Sequence, residues 1–487
     1  MESYFGDLWL VRLLLQRTLA AIYLIAFLVA LRQFAPLLGE RGLLPVPALL
    51  KRDRWRKPSL FCWRYSDRLL KAVAWTGISL SAVALSGLSE SGAVWISAGT
   101  WLVLWGLYLS IVNVGQSFYA FGWESMLLEA GFFAAFLGPA AVEPSLIPVL
   151  ILRWMLFRTE LGAGLIKLRH DRCWRELTCL FYHYETQPLP NPLSWHFHQL
   201  PKVLHRLAVL FSHFVQLIAP FGLFAPQPFA SIAGGLIVFH QLWLIVSGNY
   251  SWLNWLTVAL GVTAFSDSTL SAVIPLAVPH TVPRSPFFDA LLYALGVTTA
   301  ALSIQPALNL FSKNQLMNYS YNPLHLVNAY GAFGNVTRKR YEVVLEATDE
   351  PAVTGRTRWR EYGFGGKPGD LRRMPPQVAP YHLRLDWLMW FLPFSVDVIP
   401  GGIRVPGYDV WFLRLVQKLL EGDAATLKLL RENPFENRRP TFVRALFYEY
   451  RYTTRRERKE SGAWWVRREL GVYLPVLSLT DVGRSLR

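Results

Sequence analysis

The amino-acid sequence predicts a multi-span α-helical membrane protein with a C-terminal soluble α+β domain that contains a mainly antiparallel sheet. Three observations carry this prediction. Of the 487 residues, 53% are hydrophobic and 14% aromatic, too apolar for a typical soluble chain, so a bilayer must serve as part of the solvent. About nine apolar runs, several near the ~20 residues that cross a hydrocarbon core, lie before residue 318. Beyond about Asn318 these runs cease, which divides the chain into a membrane part, 1–317, and a tail, 318–487.

The first span is Leu13 to Leu31, interrupted only by Arg17. Glu2 and Asp7 stand where a signal peptide carries basic residues, so this span is expected to stay uncleaved. A basic loop, 32–71, follows it. Further runs lie near 72–88, 93–113, 117–137, 145–166, 204–224, 229–247, 252–266 and 287–304, of which 117–137 and 252–266 are short enough to be re-entrant or interfacial. Between them, 167–203 is a polar-aromatic loop bounded by Pro188, Pro190 and Pro192, which cannot continue a helix.

In the tail, Tyr341 to Ala347, Arg358 to Phe364 and Thr441 to Thr453 are rich in aromatic and β-branched residues and predict strands. Tyr381–Phe391, Tyr408–Glu421 and Asp423–Glu432 fit helices, the last with Asp423 as N-cap. The basic run 455–460 is expected as a solvated loop, and the glycine-rich 363–370 as a turn.

A net charge of +16 would suggest nucleic acid in a soluble protein. Here the basic residues fall between apolar runs and in the C-terminal third, where they set topology or meet anionic head groups, so lipid rather than nucleic acid is the expected partner. Cys62, Cys173 and Cys179 make no disulfide framework; unpaired thiols are expected at 173 and 179, one bridge between them being the alternative.

Charged residues inside apolar runs mark the candidate site. Glu124 and Glu129 lie within one run and should be neutral or paired, with Arg153, Arg158 and Lys167 as candidate partners. Such a centre either recognises a client or lipid or holds the helices in register. The loop beyond offers Trp174, Tyr182, His183, Tyr184 and Glu185, and the tail offers Arg384 and Asp386, which could pair locally or across to the membrane part. His183, Glu185, His196 and His198 match no standard metal spacing. No cofactor fingerprint or nucleophile elbow is present, so neither metal nor cofactor is expected. Sequons occur at Asn249, Asn318 and Asn335.

Several long motifs in the same order, GQSFYAFGWESMLLEAGF (115–132), RWMLFRTELGAGLIKLR (153–169), CWRELTCLFYHYETQPLPNPLSWHFHQLP (173–201), YGAFGNVTRKRYEV (330–343) and PYHLRLDWLMWF (380–391), resemble the lipase maturation factors. The resemblance implies a membrane-embedded, chaperone-like protein whose partners are client lipases or other secreted proteins. It places the chain in the endoplasmic reticulum membrane of a eukaryote, or the cell membrane of a bacterium. It also implies a lumen-facing tail, against the positive-inside rule, which would make the side of loop 32–71 and the tail cytoplasmic. A shorter resemblance, to the membrane domain of vitamin K-dependent carboxylase-like proteins, implies instead an enzyme acting on a lipid- or quinone-like molecule, with Glu129, Lys167 or His183 moving protons.

Overall fold

A computed structural model describes residues 2–53, 57–436 and 438–486; Arg54, Trp55 and Arg56 of the basic loop lie outside the described residues. Among the described residues six helices are long and apolar enough to cross a membrane: Trp9–Leu38, Asp67–Ser86, Val94–Asn113, Lys202–Gly222, Phe229–Ser247 and Pro286–Phe311. The other three apolar runs depart from a simple span. Residues 117–137 form the short helix Gly122–Ala134, buried on nearly every face. Residues 252–266 give the short apolar helix Leu253–Ala264. Residues 145–166 become Leu146–Arg169, a helix about 36 Å long at 1.5 Å per residue. It has the length of a span but carries Arg153, Arg158 and Glu160 in its middle, all buried against protein.

Charge in the first helix is satisfied locally. Asp267 accepts from the backbone N–H of Trp9 (2.7 Å) and Leu10 (2.9 Å), placing a carboxylate at the positive end of Trp9–Leu38. Arg17 pairs with Glu90 at 2.6 Å. Ser66 and Ser285 cap the helices they precede by accepting from the N–H three residues on. Gly87 closes Asp67–Ser86 at φ +91°, a conformation that favours glycine.

The tail is built on a four-stranded antiparallel sheet. Its strands are β1 (Arg340–Thr348), β2 (Arg360–Glu361), β5 (Phe442–Tyr452) and β6 (Trp465–Leu477), in the order β2-β1-β5-β6. Strands β3 (Asp397–Ile399) and β4 (Gly402–Arg404) form a separate hairpin. Cross-strand ion pairs follow from the register: Glu346 lies opposite Arg444 and accepts from it at 2.8 Å. Helices form at Arg384–Phe391, Val410–Glu421 and Ala424–Leu427, the last with Asp423 accepting from Thr426 N–H.

Three tail expectations are corrected. The strand expected over 358–364 shrinks to Arg360–Glu361, and the helix expected over 423–432 stops at Leu427. The basic run 455–460 is the exposed helix Arg455–Ser461, begun by a capping box in which Thr454 and Glu457 satisfy each other's backbone donors. It joins β5 to β6, a strand that the sequence analysis does not predict, its first half being interrupted by the run Arg467, Arg468, Glu469. One apolar core runs without a break from Leu8 in the bundle to Val482 in the tail.

Candidate functional site

Two buried carboxylates five residues apart on Gly122–Ala134, and so on different faces of that helix, organise the centre of the molecule. Glu129 forms an ion pair with Arg158, both fully buried. It also accepts from Asn328 N–H (2.8 Å), Asn328 Nδ2 (2.8 Å) and Tyr330 Oη (2.7 Å). Arg158 donates in turn to the carbonyl of Asn328. The segment leading into the tail is thus pinned by one carboxylate. His325, Val327 and Phe333 in it hold positive φ, at 55°, 52° and 55°, which a β-branched residue such as Val327 adopts only when its surroundings impose it.

Glu124 faces the tail instead. It accepts from Tyr108 Oη and from Arg384 Nη1 at 2.8 Å. Arg384 also donates to the Phe118 carbonyl (2.7 Å) and lies over the Tyr119 ring at 3.4 Å. Its backbone N–H donates to Gln33 Oε1 (3.0 Å) while Gln33 Nε2 donates to the His382 carbonyl (2.7 Å). The motif PYHLRLDW is therefore clamped onto the bundle. Burial and Arg384 hold the His382 imidazole neutral, down to about 3.

Of the partners expected for these carboxylates, Arg158 is one; Arg153 and Lys167 are not. Arg153 is buried among carbonyls, donating to Thr263 O (2.6 Å) and Leu223 O (3.1 Å) at the ends of two short helices, where backbone oxygens lack intrahelical donors. Lys167 donates to Gln216 Oε1 (2.8 Å) and Ser212 Oγ (3.3 Å) and sits 4.5 Å from the Trp174 ring centre. Arg384 resolves across the interface, whereas Asp386 stays within the tail: it accepts from Gly366 N–H at 2.6 Å, and burial pushes its carboxyl up to about 6.

The loop 167–203 is not an open polar surface. It folds into the short helices Arg172–Arg175, Leu180–Thr186 and Ser194–His198, and Trp174, His183 and Tyr184 are buried. Cys173 and Cys179 form a disulfide, correcting the expectation of two free thiols; the turn that Asp171 caps brings them together. Asp171, held down to about 2 chiefly by hydrogen bonds from Arg338, ties this turn to the tail at 2.8 Å. Trp174 Nε1 donates to Phe333 O (2.8 Å). His183 Nε2 bonds to Tyr250 Oη (2.8 Å), and burial next to the Lys167 charge lowers it to about 3, so it stays neutral at physiological pH. Tyr182 is half-buried beneath Arg338. Glu185 accepts from Tyr452 N–H (2.7 Å), and burial raises its carboxyl to about 7.

Between this loop, the helices Leu146–Arg169, Lys202–Leu217 and Phe229–Ser247, and the tail lies a cavity of about 660 Å³. Lys167, Trp174, His183 and Tyr184 line it with Glu160, a further charge of the apolar helix Leu146–Arg169, and so do Gln216, His240 and Gln241, which the sequence reading missed. Their signal was available: polar side chains inside apolar helices are expensive and tend to be functional or paired.

The family model described as the lipase maturation factor transmembrane domain matches residues 10–272, and the one described as the lipase maturation factor C-terminal domain matches residues 326–475. The chain is similar to lipase maturation factor 1 of Bos taurus, 41% identical over 98% of this chain and 90% of that one. It is also similar to lipase maturation factor 1 of Homo sapiens, 40% identical over 98% and 89%. Lipase maturation factor 2 of Homo sapiens is 29% identical over 96% and 83%. No solved structure matches.

Proposed function

The chain belongs to the lipase maturation factor family and is an integral-membrane maturation factor; from that premise we propose that it acts as a chaperone in the folding and assembly of client lipases or other secreted proteins. The observation that carries this reading is similarity over nearly the whole chain, through both the membrane part and the tail, rather than over one domain. The division at 317/318 then separates an anchor from a client-facing tail.

A client surface needs exposed apolar groups, and the tail has them. Phe391, Phe394, Val398 and Ile399 are each more than 40% exposed around the end of Arg384–Phe391 and the β3-β4 hairpin. Such a patch is suited to hold partly folded apolar chain. In this reading Tyr182 and Glu185 border the client-facing side, while Glu124, Arg153, Arg158, Trp174, His183, Tyr184, Arg384 and Asp386 hold the scaffold from within.

Co-expression with a secreted lipase tests the proposal. Lipase activity per unit of lipase antigen is expected to fall severalfold without this protein, and to fall likewise with Phe394→Asp, whose side chain is half exposed and whose replacement should leave the protein's own abundance unchanged. Lipase that is fully active in both cases would refute the role.

The tail is proposed to face the lumen of the endoplasmic reticulum in a eukaryotic cell, or the outside of a bacterial cell membrane. The bridge Cys173–Cys179 packs beside Val336 of the tail segment, and disulfides persist in oxidising compartments. Expression in eukaryotic microsomes gives a direct check. Asn335 is exposed and should be glycosylated, giving an endoglycosidase-sensitive mobility shift that Asn335→Gln reduces. Asn249 is buried, donating to Pro190 O and Pro376 O and accepting from Val378 and Ala379 N–H, so Asn249→Gln should leave the shift intact. An unglycosylated tail would place it on the cytoplasmic side.

A further inference from the structure

We infer that the central cavity is a binding site for a long-chain fatty acid, with the carboxylate at Lys167 and the chain running toward the surrounding bilayer. Its volume of about 660 Å³ lies within the ~300–1,000 Å³ in which proteins enclose small ligands, and its wall follows the usual pattern of a mostly apolar surface with a few polar groups.

The head group follows from Lys167. Its ammonium is buried, yet its partners are the neutral Gln216 and Ser212 and the face of Trp174, and among the described residues no carboxylate lies within ion-pair distance of it. A buried cation with no carboxylate in contact is unfavourable; Glu160, two turns back on the same helix, attracts it from beyond ion-pair distance, and apart from two neutral acceptors only a ring face meets its three N–H donors. An anionic oxygen supplies both the charge and the acceptor. In the same wall His240 Nδ1 has no hydrogen-bond partner, although the residue is more than nine-tenths buried, and in the tautomer with its proton there it donates to an anionic oxygen. Polar atoms left unmatched around one cavity point to a polar group that belongs there.

The tail of the ligand follows from the opposite end. Leu204, Leu207 and Phe239 line the cavity and are also 46%, 54% and 56% exposed on the outer face of the bundle. They lie on two membrane-crossing helices, Lys202–Gly222 and Phe229–Ser247. On Lys202–Gly222 the exposed Val203, Leu210 and Phe214 continue the same apolar face. An opening edged by such residues meets hydrocarbon rather than water, so it admits a molecule already dissolved in the membrane.

This inference stands apart from the lipase reading, and its test needs no lipase. The full-length protein in detergent-free nanodiscs of phosphatidylcholine is titrated with radiolabelled oleate, and with methyl oleate as the uncharged control. Oleate is expected to bind at least tenfold more tightly than methyl oleate. Lys167→Met should remove that preference, Lys167→Arg should retain most of it, and Leu207→Trp should weaken binding of both by narrowing the membrane-facing mouth. Leu207 is half exposed, so this last variant should fold even if Lys167→Met does not. Equal affinity for oleate and its methyl ester, or wild-type binding by Leu207→Trp, would overturn the assignment. Displacement of bound oleate by dioleoylphosphatidic acid at much lower concentration would overturn it in favour of an anionic phospholipid.

Discussion

Glu129→Leu is expected to lower the amount of protein in the membrane by at least an order of magnitude, with Glu129→Gln clearly milder. The leucine leaves four donors without their acceptor: the Arg158 guanidinium, the Asn328 backbone and side-chain N–H groups and the Tyr330 hydroxyl. Breaking a buried ion pair from one side costs about 3–5 kcal/mol, because the surviving charge stays buried. The stranded neutral donors raise that cost by about 1–3 kcal/mol each if no water reaches them. Against a total stability of about 5–15 kcal/mol, such a loss leaves little folded protein. Glutamine keeps an acceptor oxygen for Asn328 and Tyr330 and gives up mainly the charge opposite Arg158. The checks are membrane-fraction abundance and detergent-solubilised melting temperature for both variants. Wild-type values for both would mean that this carboxylate bears no structural weight.

That centre was partly legible in the sequence, and the reason it was only partly so is physical. Charges embedded in apolar runs announce that they are paired, since lipid offers nothing to satisfy them, and Glu129 with Arg158 follows that rule. The rule does not say with what they pair. Arg153 took backbone carbonyls at two helix ends, an acceptor that leaves no mark in the sequence. Glu124 took an arginine 260 residues away. Hydropathy finds apolar runs without telling a span from a buried helix: Gly122–Ala134, already short for a span, is apolar on nearly all sides because it is buried in protein. His183 and Tyr184 read as a surface loop because the surrounding prolines end helices; the structure uses those breaks to turn the chain back over the cavity. Strand β6 was missed because Arg467, Arg468 and Glu469 stand in a row in its first half, which breaks the period-2 pattern in a strand at the sheet edge. The polar cavity wall escaped because His240, Gln241 and Gln216 are scattered over two helices and converge only after folding.

Arg384→Met should detach the tail from the bundle, and the pattern of rescue should identify why. Arg384 brings together Glu124, the Phe118 carbonyl and the Tyr119 ring, while its backbone is held by Gln33 of the first helix. Methionine fills much of the volume but supplies no donor, so Glu124 is left buried with the Tyr108 hydroxyl and, 3.7 Å away, the neutral His382 ring, and with no cation opposite it. A loss of about 3–5 kcal/mol follows from the uncompensated charge, and it falls on the contact between the two parts of the chain. Limited proteolysis of membranes should therefore release the tail from Arg384→Met under conditions in which the wild type is resistant. Glu124→Leu should do the same by stranding the arginine. In the double variant Glu124→Leu with Arg384→Met no charge is left unpaired, and replacing a buried pair by apolar groups is often close to neutral. The double variant should be more resistant than either single one, though short of wild type because the Phe118 and Tyr119 contacts remain lost. Strictly additive sensitivity would show that the two side chains act separately. In that case the clamp would have to reside in the Gln33 contacts, and Gln33→Leu would release the tail where Arg384→Met did not.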